Sequence, residues 1–149
     1  MTVEKNLQIA EATTKALSDH DLDRFLSYHH ESAVGRYPST PEPVRGREAI
    51  RPGLERLIRA FPDLRLVQER AFGQGDWVTV QGHFTGTHRA PLEAPGGRTF
   101  PATNKAIRLP YALVAKIENG KIAELQAYHD LMGMAAQLGL PPPSPPKRP

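Results

Sequence analysis

Small and apolar side chains recur at helical spacing in the first part of the chain. They fall at steps of three and four residues, at Val3, Leu7, Ala10, Thr14 and Leu17. Thr2 stands where a helix cap is expected, so this spacing predicts an amphipathic helix over residues 3–17. Asp21 is placed to cap a second, shorter helix that carries Leu22, Phe25 and Leu26 inward.

A third helical pattern ends before Pro62. Its apolar positions are Ile50, Leu54, Leu57, Ile58 and Phe61. Pro52 lies inside this pattern, and a proline in a helix interior clashes with the backbone one turn earlier. We therefore expect the third helix either to begin near Arg51 or to bend in its first turns.

After residue 62 the apolar period changes from helical to two, which indicates β-strands. The segments DLRLVQERAF and DWVTVQGHFTGT flank the turn GQG, and Asn119-Gly120 marks a second tight turn. Two hairpins are predicted, separated by the Pro- and Gly-rich loop RAPLEAPGGRTFPATN. Pro110 in the second hairpin suits a sheet edge or a bulge better than a central strand.

Helices come first and antiparallel strands follow, and LMGMAAQLG adds a short last helix. This order favours the α+β class: a cone-shaped, curled antiparallel sheet packed against three N-terminal helices. The open end of such a cone is an internal pocket. We expect one domain over residues 1–140, followed by a proline-rich disordered tail over residues 141–149.

Composition and charge exclude several classes of function. The chain has 149 residues, a net charge of +3 and no cysteine, which excludes disulfides and thiolate chemistry. Lys147 and Arg148 in the tail supply two of the three net charges, and the other cations are interleaved with acids, so we expect no nucleic-acid partner. No apolar run is long enough for a bilayer and no export signal is visible, so we expect no membrane association and a cytoplasmic location.

Five segments, in order and at similar spacing, resemble the SnoaL-like polyketide cyclase and ester cyclase family of the nuclear-transport-factor-like superfamily. They cover roughly residues 5–140 and comprise Gly46–Ile50, Phe61–Leu64, Gly75–His88, Pro101–Lys105 and Asn119–Gly139. The resemblance implies a pocket for a small-molecule substrate. It departs at Asn104, where glycine is usual, at the longer loop between His88 and Pro101, and at Gln126, where the family often has tryptophan.

By this resemblance Asp130 corresponds to a general acid/base for an intramolecular aldol closure. Such chemistry requires a carboxylate in an apolar pocket, where desolvation tunes its proton affinity. An alternative structural role is also open, because an aspartate followed by an apolar helical run is a common helix cap. The two roles are compatible with each other.

His88 and His83 are the further catalytic candidates, on the second long strand and at its end. Val78, Val80 and Phe84 alternate in the register of His88 and form the more apolar set, so we expect them to face the interior. This places His88 near the pocket mouth and His83 on the outside.

Tyr128 and Gln126 lie two and four residues before Asp130 and are candidates to bind substrate oxygens. Tyr111 and Tyr28 are further candidates for the pocket lining. The remaining histidines, His20, His29, His30 and His129, show no metal-ligand spacing, so no metal site is expected. The sequence also has no glycine-rich phosphate loop, nucleotide-binding fingerprint or serine elbow, so no cofactor is expected.

Three functions stay open. The first is a cofactor-independent acid/base enzyme that cyclises or isomerises a small carbonyl or polyketide-like compound. The second is an epoxide hydrolase on the same fold, which needs two carboxylates and an arginine around one water. The third is a non-catalytic small-molecule-binding or assembly domain. We also expect a homo-oligomer, a dimer or tetramer, with Val67 and Ala71 on the contact face.

Overall fold

A computed structural model of the chain describes residues 2–93 and 97–142. Within these ranges the chain forms four helices: α1 Val3–Ser18, α2 Leu22–Ser27, α3 Arg47–Ala60 and α4 Leu131–Leu138. Five long strands carry most of the sheet: β1 His29–Arg36, β3 Arg65–Gln74, β4 Trp77–Thr87, β7 Ala106–Glu118 and β8 Lys121–His129. Three short strands complete the set: β2 Val44–Arg45, β5 Leu92–Glu93 and β6 Thr99–Phe100.

The first two helices begin at the predicted caps. The hydroxyl of Thr2 accepts the backbone N–H of Lys5 at 3.2 Å, and the carboxylate of Asp21 accepts that of Arg24 at 3.1 Å. Helix α3 differs from the expectation of a start near Arg51: it begins at Arg47 and runs through Pro52.

The main sheet has the order β2-β1-β8-β7-β4-β3 and does not close, since β2 and β3 are its edges. The two predicted hairpins are β3–β4 and β7–β8, and both are antiparallel. Helix α1 packs against β3 and β4, while α3 packs against β1 and α4 against β7. The predicted α+β cone of a curled sheet against N-terminal helices is confirmed.

Strand β1 was not predicted from the sequence, and it pairs with β8 in parallel. Its burial pattern breaks after His29, where two consecutive exposed residues interrupt the alternation. A pattern without a regular period of two does not identify a strand. The parallel pair follows from the fold, because α2 leads the chain back to the cone before β1 begins.

Pro110 lies in β7, which is flanked by β4 and β8, yet no ladder bond is lost there. Strand β8 ends where His129 pairs with Tyr111, so β7 has a free edge before that position. Helix α4 covers this edge: Gln137 accepts the backbone N–H of Arg108 at 2.8 Å and donates to its carbonyl at 3.0 Å. Residues two apart point the same way along a strand, so the ring nitrogen of Pro110 also faces the side of β7 that β8 does not pair.

A bulge in β3 corrects the expected outer face of the sheet. The register with β4 shifts between Gln68 and Arg70, which reverses the side-chain alternation beyond it. Val67 and Phe72 are therefore both exposed on the outer face, at 45% and 57%. Ala71 packs against the interior cluster instead, so the placement of Ala71 beside Val67 was wrong.

The interior of the cone holds one main apolar cluster and a smaller one under α2. His29 belongs to the buried set at 0% exposure, and its Nδ1–H donates to the Phe25 carbonyl at 2.9 Å. Burial lowers the pKa of His29 to about 4, because the charged imidazolium would lose its water. This histidine holds the junction of α2 and β1.

The cover of the β7 edge yields a first prediction. Gln137→Ala leaves both backbone groups of Arg108 without their side-chain partner, so we expect the free energy of unfolding to fall by about 1–2 kcal/mol. Urea unfolding of the variant measures this loss. The matched control is Gln8→Ala on the exposed side of α1, where a change within about 0.5 kcal/mol is expected; equal effects would contradict the proposed cover.

The buried His29 yields a pH prediction. Its folded pKa is depressed, so below about pH 6.5 the unfolded chain binds a proton that the folded chain excludes, and stability falls as the pH falls. The contribution of this group to the loss reaches about 3 kcal/mol near pH 4. His29→Asn keeps a donor near Phe25 but does not titrate, so its unfolding free energy should depend less on pH.

Urea unfolding of the wild type, His29→Asn and the control His30→Asn between about pH 7 and 4.5 measures that slope. His30 bonds the Glu118 carbonyl at an exposed site, so its variant should keep the wild-type slope. A slope in His29→Asn as steep as in the wild type would show that His29 titrates normally.

Candidate functional site

The cone encloses an inner chamber of about 100 Å³ with an almost wholly apolar wall. Helices α1 to α4 and the long strands β3, β4, β7 and β8 contribute to it, as expected for a curled sheet closed by helices. The predicted inward set Val78, Val80 and Phe84 lies in this wall, so the facing of β4 was predicted correctly. Water in this space has few partners, which suits the apolar end of a ligand.

An outer chamber of about 430 Å³ adjoins the inner one and is more polar. Its rim carries Arg56, Glu93 and Arg98, and the Arg56 Nε lies 3.7 Å from the Glu93 carboxylate. The two chambers share five lining residues, which we call the neck: Tyr37, Leu54, Leu57, His129 and Met134. The two chambers therefore adjoin at these residues.

Two phenols meet at the inner chamber without hydrogen-bond partners. The hydroxyls of Tyr37 and Tyr111 are buried and contact no donor or acceptor among the described residues. Burial raises the pKa of Tyr37 to about 12 and that of Tyr111 to about 12, so both hydroxyls keep their protons at neutral pH. Each hydroxyl is therefore a donor without a partner among the described residues.

The position of Tyr37 depends on Gly35 in β1. A Cβ atom on Gly35 would lie 2.7 Å from the Tyr37 ring, so only glycine lets the ring fold back over the strand. This local geometry brings Tyr37 to the neck although it follows the end of β1.

His129 ends β8 and lines both chambers. It is the cross-strand partner of Tyr111, and its ring meets Phe84 edge-on with 5.8 Å between centroids. Burial lowers the pKa of His129 from its ordinary value. The imidazole is therefore held in its neutral, basic form beside the two phenols.

Asp130, the predicted acid/base, follows directly but lies outside both linings. It is exposed and caps α4, where its carboxylate accepts the Gly133 N–H at 2.7 Å. A Cβ on Gly133 would collide with that carboxylate, so the glycine leaves room for the cap. The capping alternative is thus observed, and the catalytic role of Asp130 stays a prediction.

Tyr128 and Gln126 lie on the outer face of the sheet. Leu125, Ala127 and His129 line the inner chamber, and residues between them point away from it. Tyr128 is accordingly 55% exposed. Tyr128 and Gln126 were expected to face the pocket. The odd-numbered residues of β8 face it instead, and the strand reaches the neck at His129.

His88 and His83 also lie away from the cavity. The Nδ1 of the fully buried His88 accepts the Thr103 N–H at 3.2 Å, and its ring packs on Phe61, so it fastens the 101–105 turn to the end of β4. Burial lowers the pKa of His88. His83 is on the outer face as predicted, where its Nδ1–H donates to Glu69 at 2.6 Å.

Of the remaining candidates, Tyr111 lies in the site and Tyr28 does not. The Tyr28 hydroxyl accepts the Arg24 Nε–H at 3.3 Å beside α2. Sequence reasoning missed Tyr37, since β1 was not recognised, and His129. The one available signal for His129 was its alternation with Leu125 and Ala127 on β8.

Residues 2–93 and 97–142 offer neither a metal-binding cluster nor a membrane-spanning helix. No group of three or more His, Asp or Glu side chains there is arranged to hold a metal ion. None of the four helices is long and apolar enough to cross a membrane. The described part of the predicted tail, Pro141 and Pro142, lines the outer chamber, and residues 143–149 lie outside the described ranges.

Solved structures share this fold at low sequence identity. A candidate SnoaL-like polyketide cyclase of Jannaschia sp. CCS1 is 21% identical, with a TM-score of 0.81 over 93% of this chain and 94% of that one. AclR, a candidate hydroxylase of Streptomyces galilaeus, is 19% identical, with a TM-score of 0.78 over 94% and 100%. A Catenulispora acidiphila protein of ketosteroid isomerase-like fold is 20% identical, with a TM-score of 0.72 over 89% and 93%.

Family membership rests on the sequence itself. No curated protein matches the chain significantly. The family model for SnoaL-like polyketide cyclase, however, matches residues 7–138, which takes in every helix and strand of the cone. The chain belongs to the SnoaL-like polyketide cyclase family.

Proposed function

We propose that this protein is a cofactor-independent acid/base enzyme that cyclises or isomerises a small carbonyl compound. The observation that carries the proposal is the pair of unpartnered, buried phenols, Tyr37 and Tyr111, in an otherwise apolar chamber. Buried polar groups usually have partners, so two orphaned hydroxyls at one cavity favour a ligand that supplies the acceptor. Membership of a family of cyclases supports the same reaction class.

The phenols suit the stabilisation of an enolate. Removing a proton beside a carbonyl places negative charge on its oxygen, and donors fixed in an apolar site stabilise that charge better than water does. Since their pKa values are raised to about 12, Tyr37 and Tyr111 remain donors throughout the neutral range.

The chamber sizes indicate the shape of the substrate. The outer chamber of about 430 Å³ falls in the range of small-molecule pockets, while the inner one of about 100 Å³ takes a short apolar group. A compound of mainly hydrocarbon character with its carbonyls at the neck fits both. This is the chemistry of a short polyketide-like chain or a partly reduced ring ketone.

The two alternatives have less support. Epoxide hydrolysis needs two carboxylates bridged by an arginine, and among the described residues of both linings Glu93 is the one carboxylate. A non-catalytic binder would use the same chamber and differs only in leaving its ligand unchanged. Turnover therefore separates it from the enzyme.

Self-association and a cytoplasmic location stay predictions. If two copies pair, the outer sheet face offers the apolar surface to be covered. Its exposed large side chains are Val67, Phe72, Trp77 and Tyr128.

The enolate site is tested with 2-naphthol, a stable analogue of the enol of 2-tetralone. We expect the wild type to bind 2-naphthol and to accelerate deuterium exchange at C1 of 2-tetralone in D₂O, read by proton NMR. Tyr37→Phe and Tyr111→Phe each remove one donor at nearly constant shape. Each should weaken 2-naphthol binding about tenfold, or ~1.4 kcal/mol, because a hydrogen bond to the naphthol oxygen is lost.

The matched control is Tyr128→Phe, the same change on the outer face. It should leave the affinity for 2-naphthol unchanged. A loss of affinity in Tyr128→Phe alone would instead place the binding site at the residues predicted from the sequence. Binding of 2-naphthol without exchange would favour the non-catalytic alternative. The absence of both binding and exchange would refute the proposed function.

A further inference from the structure

The neck carries a single imidazole, on His129. This residue lines the inner and the outer chamber at once, so its ring lies where a ligand spanning both must pass. Strand pairing places it directly across from Tyr111, one of the two unpartnered phenols. Tyr37, the other phenol, is also a neck residue.

The ring of His129 is free to accept a proton. Phe84 supports it by an edge contact, and the structure shows no hydrogen bond from a described residue that would occupy its nitrogens. His29 and His88, which are fully buried, each use one ring nitrogen within the fold, since His29 donates to a carbonyl and His88 accepts a backbone N–H. Neither of those two rings lines a chamber.

Other groups at the cavity are less suited to the task of a base. The phenols are protonated at neutral pH, and Arg56 and Arg98 are cations without a lone pair to offer. Glu93 is an exposed rim residue engaged with Arg56. Asp130 is exposed and its carboxylate is bound at the start of α4.

We propose that His129 is the catalytic base. It takes a proton from a carbon that lies next to one carbonyl, or between two, with a carbonyl held at the neck. This rests on the proposed function and deepens it. The C–H bond breaks as the N–H bond forms, and the electron pair moves to the carbonyl oxygen, which Tyr37 or Tyr111 hydrogen-bonds.

The second half of the reaction returns the proton. In an isomerisation, the imidazolium gives it back at another carbon of the enolate. In a cyclisation, the enolate carbon forms a C–C bond with a second carbonyl of the same molecule, and the new alkoxide takes the proton. Either product is an isomer of the substrate, so no oxidant, reductant or cofactor is consumed.

The substrate class follows from the position of the base. The acidic carbon must lie at the neck, with a short apolar group beyond it in the inner chamber and the larger part outside. A ketone whose enolisable position is near one end meets this requirement better than one with bulky groups on both sides.

The rate should depend on pH through this imidazole. The titratable or charged groups that line the same chambers as His129 are Tyr37 and Tyr111 at the inner chamber and Arg56, Glu93 and Arg98 at the outer one. The phenols do not change charge in the neutral range. We therefore expect exchange to fall on the acid side with a midpoint below pH 6.5, since burial lowers the pKa of His129.

The test measures exchange at C1 of 2-tetralone with His129→Gln. We expect the acceleration to fall about 100-fold or more while 2-naphthol binding changes little, because the phenols remain. Retained binding also shows that the variant has folded. His129→Ala should recover part of its rate with added imidazole, which a merely structural role would not produce.

Two further variants distinguish the outcomes. His30→Gln, at a histidine bonded to the Glu118 carbonyl, is the control and should exchange like the wild type. Asp130→Asn keeps a capping side chain and should retain most of the rate. Loss in Asp130→Asn with retention in His129→Gln would overturn the assignment of His129 but uphold the proposed function. No exchange by the wild type would refute the proposed function itself.

Discussion

The almost wholly apolar lining of the inner chamber is the constraint on which the site depends. A curled, unclosed sheet cannot bury its concave face alone, and α1 and α3 cover it without filling it. The space that remains has almost no polar wall, so each polar group that does reach it acts strongly on a ligand. The same desolvation that keeps Tyr37 and Tyr111 protonated keeps His129 neutral. One physical cause thus acts on both the donors and the acceptor of the proposed proton-transfer site.

Strand register decides which residues receive that environment. Consecutive side chains in a strand point to opposite faces, so Tyr128 and His129 experience water and cavity respectively. One residue later the chain leaves the sheet, and Asp130 turns to the solvent to satisfy the first turn of α4. A shift of one residue would exchange the roles of these neighbours. The bulge between Gln68 and Arg70 has a comparable effect on β3, where it turns Phe72 outward.

Much of the fold was predictable because its signals are local. Thr2, Asp21 and Asn119-Gly120 each specify a cap or a turn from a few neighbouring residues, and all lie where expected. The strand β1 was not predictable in this way, because its position depends on a parallel partner 90 or more residues later. The residues of the site were predicted less accurately than the fold. Tyr37 reaches the neck through a close approach to Gly35, and His129 through the point at which β8 ends; neither leaves a pattern in the sequence.

Burial alone does not identify a functional histidine here. His29, His88 and His129 all have pKa values lowered by desolvation, and all three destabilise the fold in acid. Two of them make hydrogen bonds within the fold: His29 donates to the Phe25 carbonyl, and His88 accepts the Thr103 N–H. His129 makes no such bond with the described residues, yet its ring lies between two chambers. The place of its ring in both chamber linings, and not burial itself, separates the proposed base from His29 and His88.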